Sequence, residues 1–235
     1  MTIINIETST NICSAALTVD AESVLSFVDS ETRNHAKQLP LFVDKILDEL
    51  RRRNLCLDAV ALSKGPGSYT GLRIGTALAK GICYGMNVPL LAVDTLQLMA
   101  KKALSFTQAE ILCPMIDARR MEVYCCLFSR DLSSLSSVEA KVVDADSFRD
   151  LLKAHTVCFF GDGADKCKTL LQGPGVSFLE NIFPDAQDMG SLAEIAYKSG
   201  KRENIAYFNP FYLKEYQAVH SKNKVLYDNE NNNNI

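Results

Sequence analysis

Along this 235-residue chain the apolar positions change period several times, and each change marks an element. Residues 2–6 and 13–20 alternate as strands do, with a polar turn at Glu7, Thr8, Ser9, Thr10 and Asn11 between them. Residues 23–29 form a third strand through the Asp20–Ala21–Glu22 turn. From His35 the period becomes helical. Leu39, Val43, Ile46, Leu47 and Leu50 share one face, with Asp44, Lys45, Asp48 and Glu49 opposite. Pro40 is tolerated only near a helix start, which places the N-terminus at Asn34 or His35. Leu41 and Phe42 widen the apolar arc beyond what one sheet needs, so a second helix or a partner should cover them. A buried strand at 59–62, a helix at 69–84, a strand at 89–93 and a helix at 95–104 complete a first domain, residues 1–106. A second domain, 107–220, repeats the plan. It has strands at 111–116, 121–128 and 138–143, a helix at 147–154 capped by Asp146, and a strand at 156–160 running into the turn from Gly161 to Ala164. A helix at 191–199 places Leu192, Ile195 and Ala196 inward and stops at Gly200. Residues 209–213 read as an extended arm and 221–235 as a disordered polar tail.

The densest signal is Ser63 to Gly85, which holds six of the twelve glycines. Ser68 suits an N-cap. Glycine inside a helix costs about 1 kcal/mol against alanine, so Gly75 and Gly81 need a reason. Helical spacing supplies it: Gly71, Gly75 and Ala79 make one row of small residues, and Ala77, Gly81 and Gly85 make another. The first row lies among Leu72, Leu78 and Ile82 and is assigned to the protein's own core. The second borders the polar side formed by Arg73, Lys80 and Tyr84 and is assigned to a docking helix. Leu41, Phe42, Arg73, Ala77, Lys80, Gly81, Tyr84 and Gly85 are the candidate partner surface.

Composition narrows the function classes. A 47% apolar and 23% charged chain of net charge -3 and pI about 5.7 is an ordinary globular protein without a global footprint for nucleic acid. Arg51, Arg52 and Arg53 close a helix and suit its dipole as solvated charges. The opening residues read as a strand without a basic start, and no run is long enough to span a membrane, so a cytoplasmic location is expected. Eight cysteines without a C-x-x-C pair read as buried reduced thiols, with Cys125 and Cys126 pointing to opposite faces of one strand. His35, His155 and His220 lack ligand spacing, so no metal is expected and His35 is structural or capping. There is no G-x-x-x-x-G-K-[ST] loop and no G-x-S-x-G elbow.

Gly65 to Gly75, GPGSYTGLRIG, resembles the signature of the bacterial TsaB (YeaZ) family. The histidine-to-proline stretch 35–40, the Asp117–Ala118–Arg119 turn and the P-x-Y-L arm of residues 210–213 agree, so the resemblance spans about residues 1–215. It implies an α/β, two-lobed actin-like (ribonuclease-H-like) ATPase fold, opened by the three-strand meander. Active members place an acid and a glycine in the first turn to face nucleotide phosphates. Here Glu7 occupies the acid's place, but Thr8, Ser9 and Thr10 offer no glycine; a solvated turn is preferred over a weak anion or nucleotide cleft. Asp117 and Arg119 stand in the equivalent second turn, again without glycine, with Arg119 either facing an anion or pairing with an acid. The catalytic relatives bind a metal through H-x-x-x-H, whereas this chain has Leu39 four residues after His35.

The resemblance therefore implies a non-catalytic scaffold and activating subunit of the complex that makes N6-threonylcarbamoyladenosine at position 37 of tRNA. Its implied partners are a TsaD-like transferase met through first-domain helices, a TsaE-like ATPase, and a second copy of the chain when alone. It implies tRNA contact only through the complex, no cofactor of its own, and ATP at the complex interface. The alternative is an ATP-binding phosphotransferase or metal-independent peptidase of the same fold. The missing glycines and the absence of a Cys/His constellation count against these.

Overall fold

The computed structural model describes residues 1–31 and 34–214; the predicted tail at 221–235 lies outside them. Strands β1 (Thr2–Glu7), β2 (Cys13–Val19) and β3 (Glu22–Asp29) form the antiparallel meander. Helix α1 (His35–Arg52) leads to β4 (Ala59–Ser63), α2 (Tyr69–Met86), β5 (Leu90–Val93) and α3 (Thr95–Ala103). The first sheet runs β3-β2-β1-β4-β5, with β4 parallel to β1 and β5 parallel to β4.

The second lobe holds β6 (Ile111–Asp117), β7 (Glu122–Cys125), β8 (Phe128–Ser129), β9 (Glu139–Val142), α4 (Arg149–Ala154), β10 (Val157–Phe160) and β11 (Val176–Leu179). Taken from β9, its sheet runs β9-β7-β6-β10-β11, two antiparallel pairings followed by two parallel ones. That is the order of the first sheet, so the two-lobed actin-like architecture is a duplication. Among the described residues no helix is long and apolar enough to cross a membrane.

The sequence reading needs correction in the second half. Helix α4 begins at Arg149 because Asp144, not Asp146, organises the turn, accepting from the Asp146 N–H at 3.0 Å and the Ser147 hydroxyl at 2.8 Å. Phe148, at φ 62°, delays the helix further. Strand β11 was not predicted, and the Gly161–Ala164 turn leads only to a single 3₁₀ turn, Asp165–Cys167.

The largest correction concerns the domain boundary. Helix α5 (Gly190–Lys198) does not serve the second lobe. Met189 and Ala193 pack with Ile3, Ala59, Ala61, Leu91 and Val93 on the back of the first sheet. Its inward face is Gly190, Ala193, Glu194 and Ala196, while Ile195, expected inside, is 64% exposed. Phe208 enters the front core of the same lobe beside α1 and α2. Helix α3 is shared: Leu98 joins the first-lobe core, and Leu96, Met99, Ala100 and Ala103 join the second. The first lobe is thus completed by Met189, Ala193 and Phe208, far beyond the predicted end of its domain at residue 106, because the chain returns to cover the sheet's open face.

Cys125 and Cys126 fall into two different cores, as their alternation requires. Cys56 is exposed and the other cysteines are buried and unpaired. The arginines closing α1 pair at the surface, Arg51 with Asp48 and Arg52 and Arg53 with Glu49.

Candidate functional site

Helix α2 starts where Ser68 accepts the Gly71 N–H at 3.2 Å and ends at Asn87, a left-handed residue at φ 54°. Its two small-residue rows have opposite surroundings. A Cβ on Gly71 would lie 2.1 Å from the Thr8 carbonyl oxygen, and one on Gly75 would lie 2.3 Å from Thr8 Oγ1. The inner row is therefore pressed against the first turn. Among the described residues, a Cβ on Gly81 or Gly85 would meet nothing within 4 Å.

Around that bare outer row stand Tyr84, 85% exposed, together with exposed Arg73, Ala77 and Met86 and half-buried Lys80. Arg73 lies over the Tyr69 ring at 5.5 Å and donates to its hydroxyl at 3.0 Å. Lys80 Nζ donates to the Ala206 carbonyl at 3.4 Å, next to exposed Tyr207 in sequence. Leu41 of α1 is half exposed, but Phe42 is not on this surface. It is buried and stacks on Phe27 of β3 with ring centroids 5.5 Å apart. The wide apolar arc of α1 is thus filled partly by β3 from within. Met86 and Tyr207 were missed: one sits beyond the predicted helix end, the other far along the chain, after α5.

The first turn is a correction as well. Glu7, Thr8, Ser9 and Thr10 are all buried, not solvated, because α2 lies over them. Glu7 Oε1 accepts from the Ser9 N–H at 2.6 Å and the Ser9 hydroxyl at 2.5 Å, and Oε2 accepts from the Ser63 hydroxyl. Burial outweighs these bonds and lifts the Glu7 carboxyl to about 7. His35, also buried, donates from Nε2 to the Thr10 carbonyl at 3.0 Å, a structural role. Ser9 gives its N–H to Glu7 and its carbonyl to the Ser68 N–H at 2.6 Å. The acid is thus turned inward, onto Ser9 and Ser63, and the Ser9 amide is turned onto the acid.

The outer edge of that turn nevertheless meets the second turn. Ser9, Thr10, Asn11 and Gly67–Thr70 face Asp117, Arg119, Tyr124 and Asp162 across a cleft of about 650 Å³, with Tyr212, Leu213 and Lys214 along it. Asp117 Oδ1 accepts the Arg119 N–H at 2.9 Å and pairs with Lys166, while the Asp117 N–H donates to Asp162 at 2.9 Å. Burial raises the Asp162 carboxyl. Arg119 is exposed at φ 72°, and among the described residues no acid pairs with its guanidinium. Both predicted turns thus reach one place, with Asp162 and the arm as members that only the fold could bring there.

Known proteins agree with this architecture. A family model described as TsaD, tRNA N6-adenosine threonylcarbamoyltransferase, matches residues 26–221. The Haemophilus influenzae tRNA threonylcarbamoyladenosine biosynthesis protein TsaB is 36% identical over 124 residues, about half of either chain (53% of this one, 52% of that one). TsaB of Bacillus subtilis is 30% identical over 73% of this chain and 76% of its own. The solved YeaZ structure from Pseudomonas aeruginosa superposes with a TM-score of 0.76 at 29% identity, covering 90% of this chain and 99% of that one. With the glycine-rich helix, the duplicated sheets and these relatives together, the chain belongs to the TsaB (YeaZ) family of tRNA threonylcarbamoyladenosine biosynthesis proteins.

Proposed function

We propose that this chain is a non-catalytic scaffold and activating subunit of a cytoplasmic tRNA threonylcarbamoyladenosine transferase complex. It docks a TsaD-type transferase on the outer face of α2 and pairs with a second copy of itself when that transferase is missing. The observation that carries this reading is the outer row of α2. Two glycines, Gly81 and Gly85, leave backbone bare where none of the described residues covers it, and Tyr84 stands almost fully exposed beside them. Helix interiors lose stability to glycine, so an uncovered glycine row has a physical use when another backbone must approach closely.

The chemistry then belongs to the transferase. This chain's first-turn acid is bonded inward, and its first-turn amide is already engaged. In this reading the TsaE-type ATPase joins the assembled pair, ATP binds at the complex interface, and tRNA is met only through the complex. The test is co-purification of the tagged chain with the TsaD-type protein of the same cell, followed by modification assays with and without this chain. Stable co-elution together with stimulated transfer supports the proposal. Steady ATP hydrolysis by the pure chain, lost in Glu7→Gln or Asp117→Asn, would instead establish the phosphotransferase reading.

A further inference from the structure

The final described residues travel from one lobe to the other. Beyond α5, the Glu203 N–H donates to the Leu90 carbonyl at 2.9 Å, attaching the chain to the edge of the first sheet. Phe208 is buried in the first-lobe core. The Phe211 N–H donates to the Lys64 carbonyl at 2.6 Å. The Phe211 carbonyl sits where a Cβ on Gly65 would come within 2.6 Å, so only glycine at φ 111° admits the arm there. The Tyr212 ring lies against Tyr69 at 4.6 Å between centroids. Two residues further on, Lys214 pairs with Glu122 of β7, in the second lobe. Residues 212–214 line the cleft between its two walls.

We propose that residues 211–214 are a latch across the inter-lobe cleft, anchored to the first lobe at Lys64 and Tyr69 and clasped to the second by the Lys214–Glu122 ion pair. The two ends of the latch are unequal in kind. The anchor is made of main-chain bonds and a ring contact. The clasp is an ion pair whose side chains remain 44% and 21% exposed, hence weak, screened by salt and readily broken. Glu122 itself is held in place, because β7 pairs on both edges and the Glu122 carbonyl accepts from Lys166 Nζ at 2.7 Å. Lys166 also pairs with Asp117, so the clasp adjoins the second turn. The lobes remain joined elsewhere, through α3 and through Lys101, which donates to the Asp188 carbonyl at 2.6 Å, and Lys102, which pairs with the Asp188 carboxylate at 3.1 Å. Breaking the clasp therefore lets the lobes swing without separating. This inference does not depend on the partner reading.

The test uses the full chain with a spin label on Cys56, the exposed cysteine of the first lobe, and a second on Leu135→Cys, an exposed position of the second. In Lys214→Glu the distance distribution between labels should lengthen and broaden. Hydrogen exchange at the Phe211 amide, which donates to the Lys64 carbonyl, should accelerate by up to about fivefold, the scale of losing one such pair. Lys214→Gln, which adds no repulsion, should move both readouts in the same direction. The charge exchange Glu122→Lys with Lys214→Glu should restore the native distribution, and raised salt should loosen the native chain. An unchanged distribution in both single variants overturns the latch, as does a change that the charge exchange fails to reverse.

Discussion

At Glu7 a carboxyl with no exposure to water is bonded to Ser9 and Ser63, and burial leaves its pKa at about 7 instead of 4.5. A carboxyl raised in the folded state binds a proton that the unfolded chain has already released. Its stabilising contribution is complete below about pH 4.5 and is lost as pH rises through about 7. The stability of the native chain, read from denaturant melts, should therefore fall across that window, by on the order of 3 kcal/mol at most. Glu7→Gln should flatten the curve there; an equally steep curve in the variant would show that another group carries it. His35→Ala should cost about 1–3 kcal/mol, measured by denaturant melts, because it leaves the buried Thr10 carbonyl without its donor. Neither environment was legible in the sequence. The acid and the histidine were visible, but the first turn is buried by α2, which begins only at Tyr69, and local pattern carries no trace of that crossing.

Helix α2 was legible almost to its ends, since a serine cap, 3.6-residue periodicity and two glycine rows are all local signals. The sequence also separated its faces correctly, because rows of small residues flanked by leucine and isoleucine differ from a row flanked by lysine and tyrosine. It failed for α4, where a six-residue helix carries little periodicity and an aspartate turn shifts the start. It failed again for Phe42, whose cover comes from β3. Two substitutions on α2 separate its roles. Gly75→Leu places a side chain into Thr8, and overpacking of this kind costs about 1–3 kcal/mol or more, so the melting temperature should drop sharply. A Cβ at Gly81 meets none of the described residues, and leucine replaces a poor helix former, so in Gly81→Leu the melting temperature should hold or rise. Its effect should appear in binding: about tenfold weaker association with the TsaD-type partner by titration calorimetry, a loss near 1.4 kcal/mol. If Gly81→Leu leaves association untouched, the outer row is not the docking face.

The whole molecule repeats one sheet order twice, and that duplication could be inferred from strand and helix order alone. Where each lobe ends could not be, because the helix completing the first lobe is short, weakly patterned and placed after the second lobe in sequence. Its inward positions are small or polar, Gly190, Ala193, Glu194 and Ala196, so the apolar signal was drawn instead to Ile195, which faces water. The consequence can be tested by truncation. A chain ending at residue 184 keeps every strand of both sheets, yet it lacks Met189, Ala193 and Phe208. Without them Ile3, Leu91 and Val93 lose their cover on one face, and Leu39 and Ile46 lose a neighbour on the other. Each large side chain left uncovered forfeits up to about 1.5–3 kcal/mol, against a total stability of about 5–15 kcal/mol for a domain. A boundary at residue 106 would locate the damage in the second lobe. The observed packing locates it in the first: hydrogen exchange should rise in β1, β4 and β5 while β6 and β10, which keep their own cores, retain protection. Protection lost from β6 and β10 instead would return α5 to the second lobe.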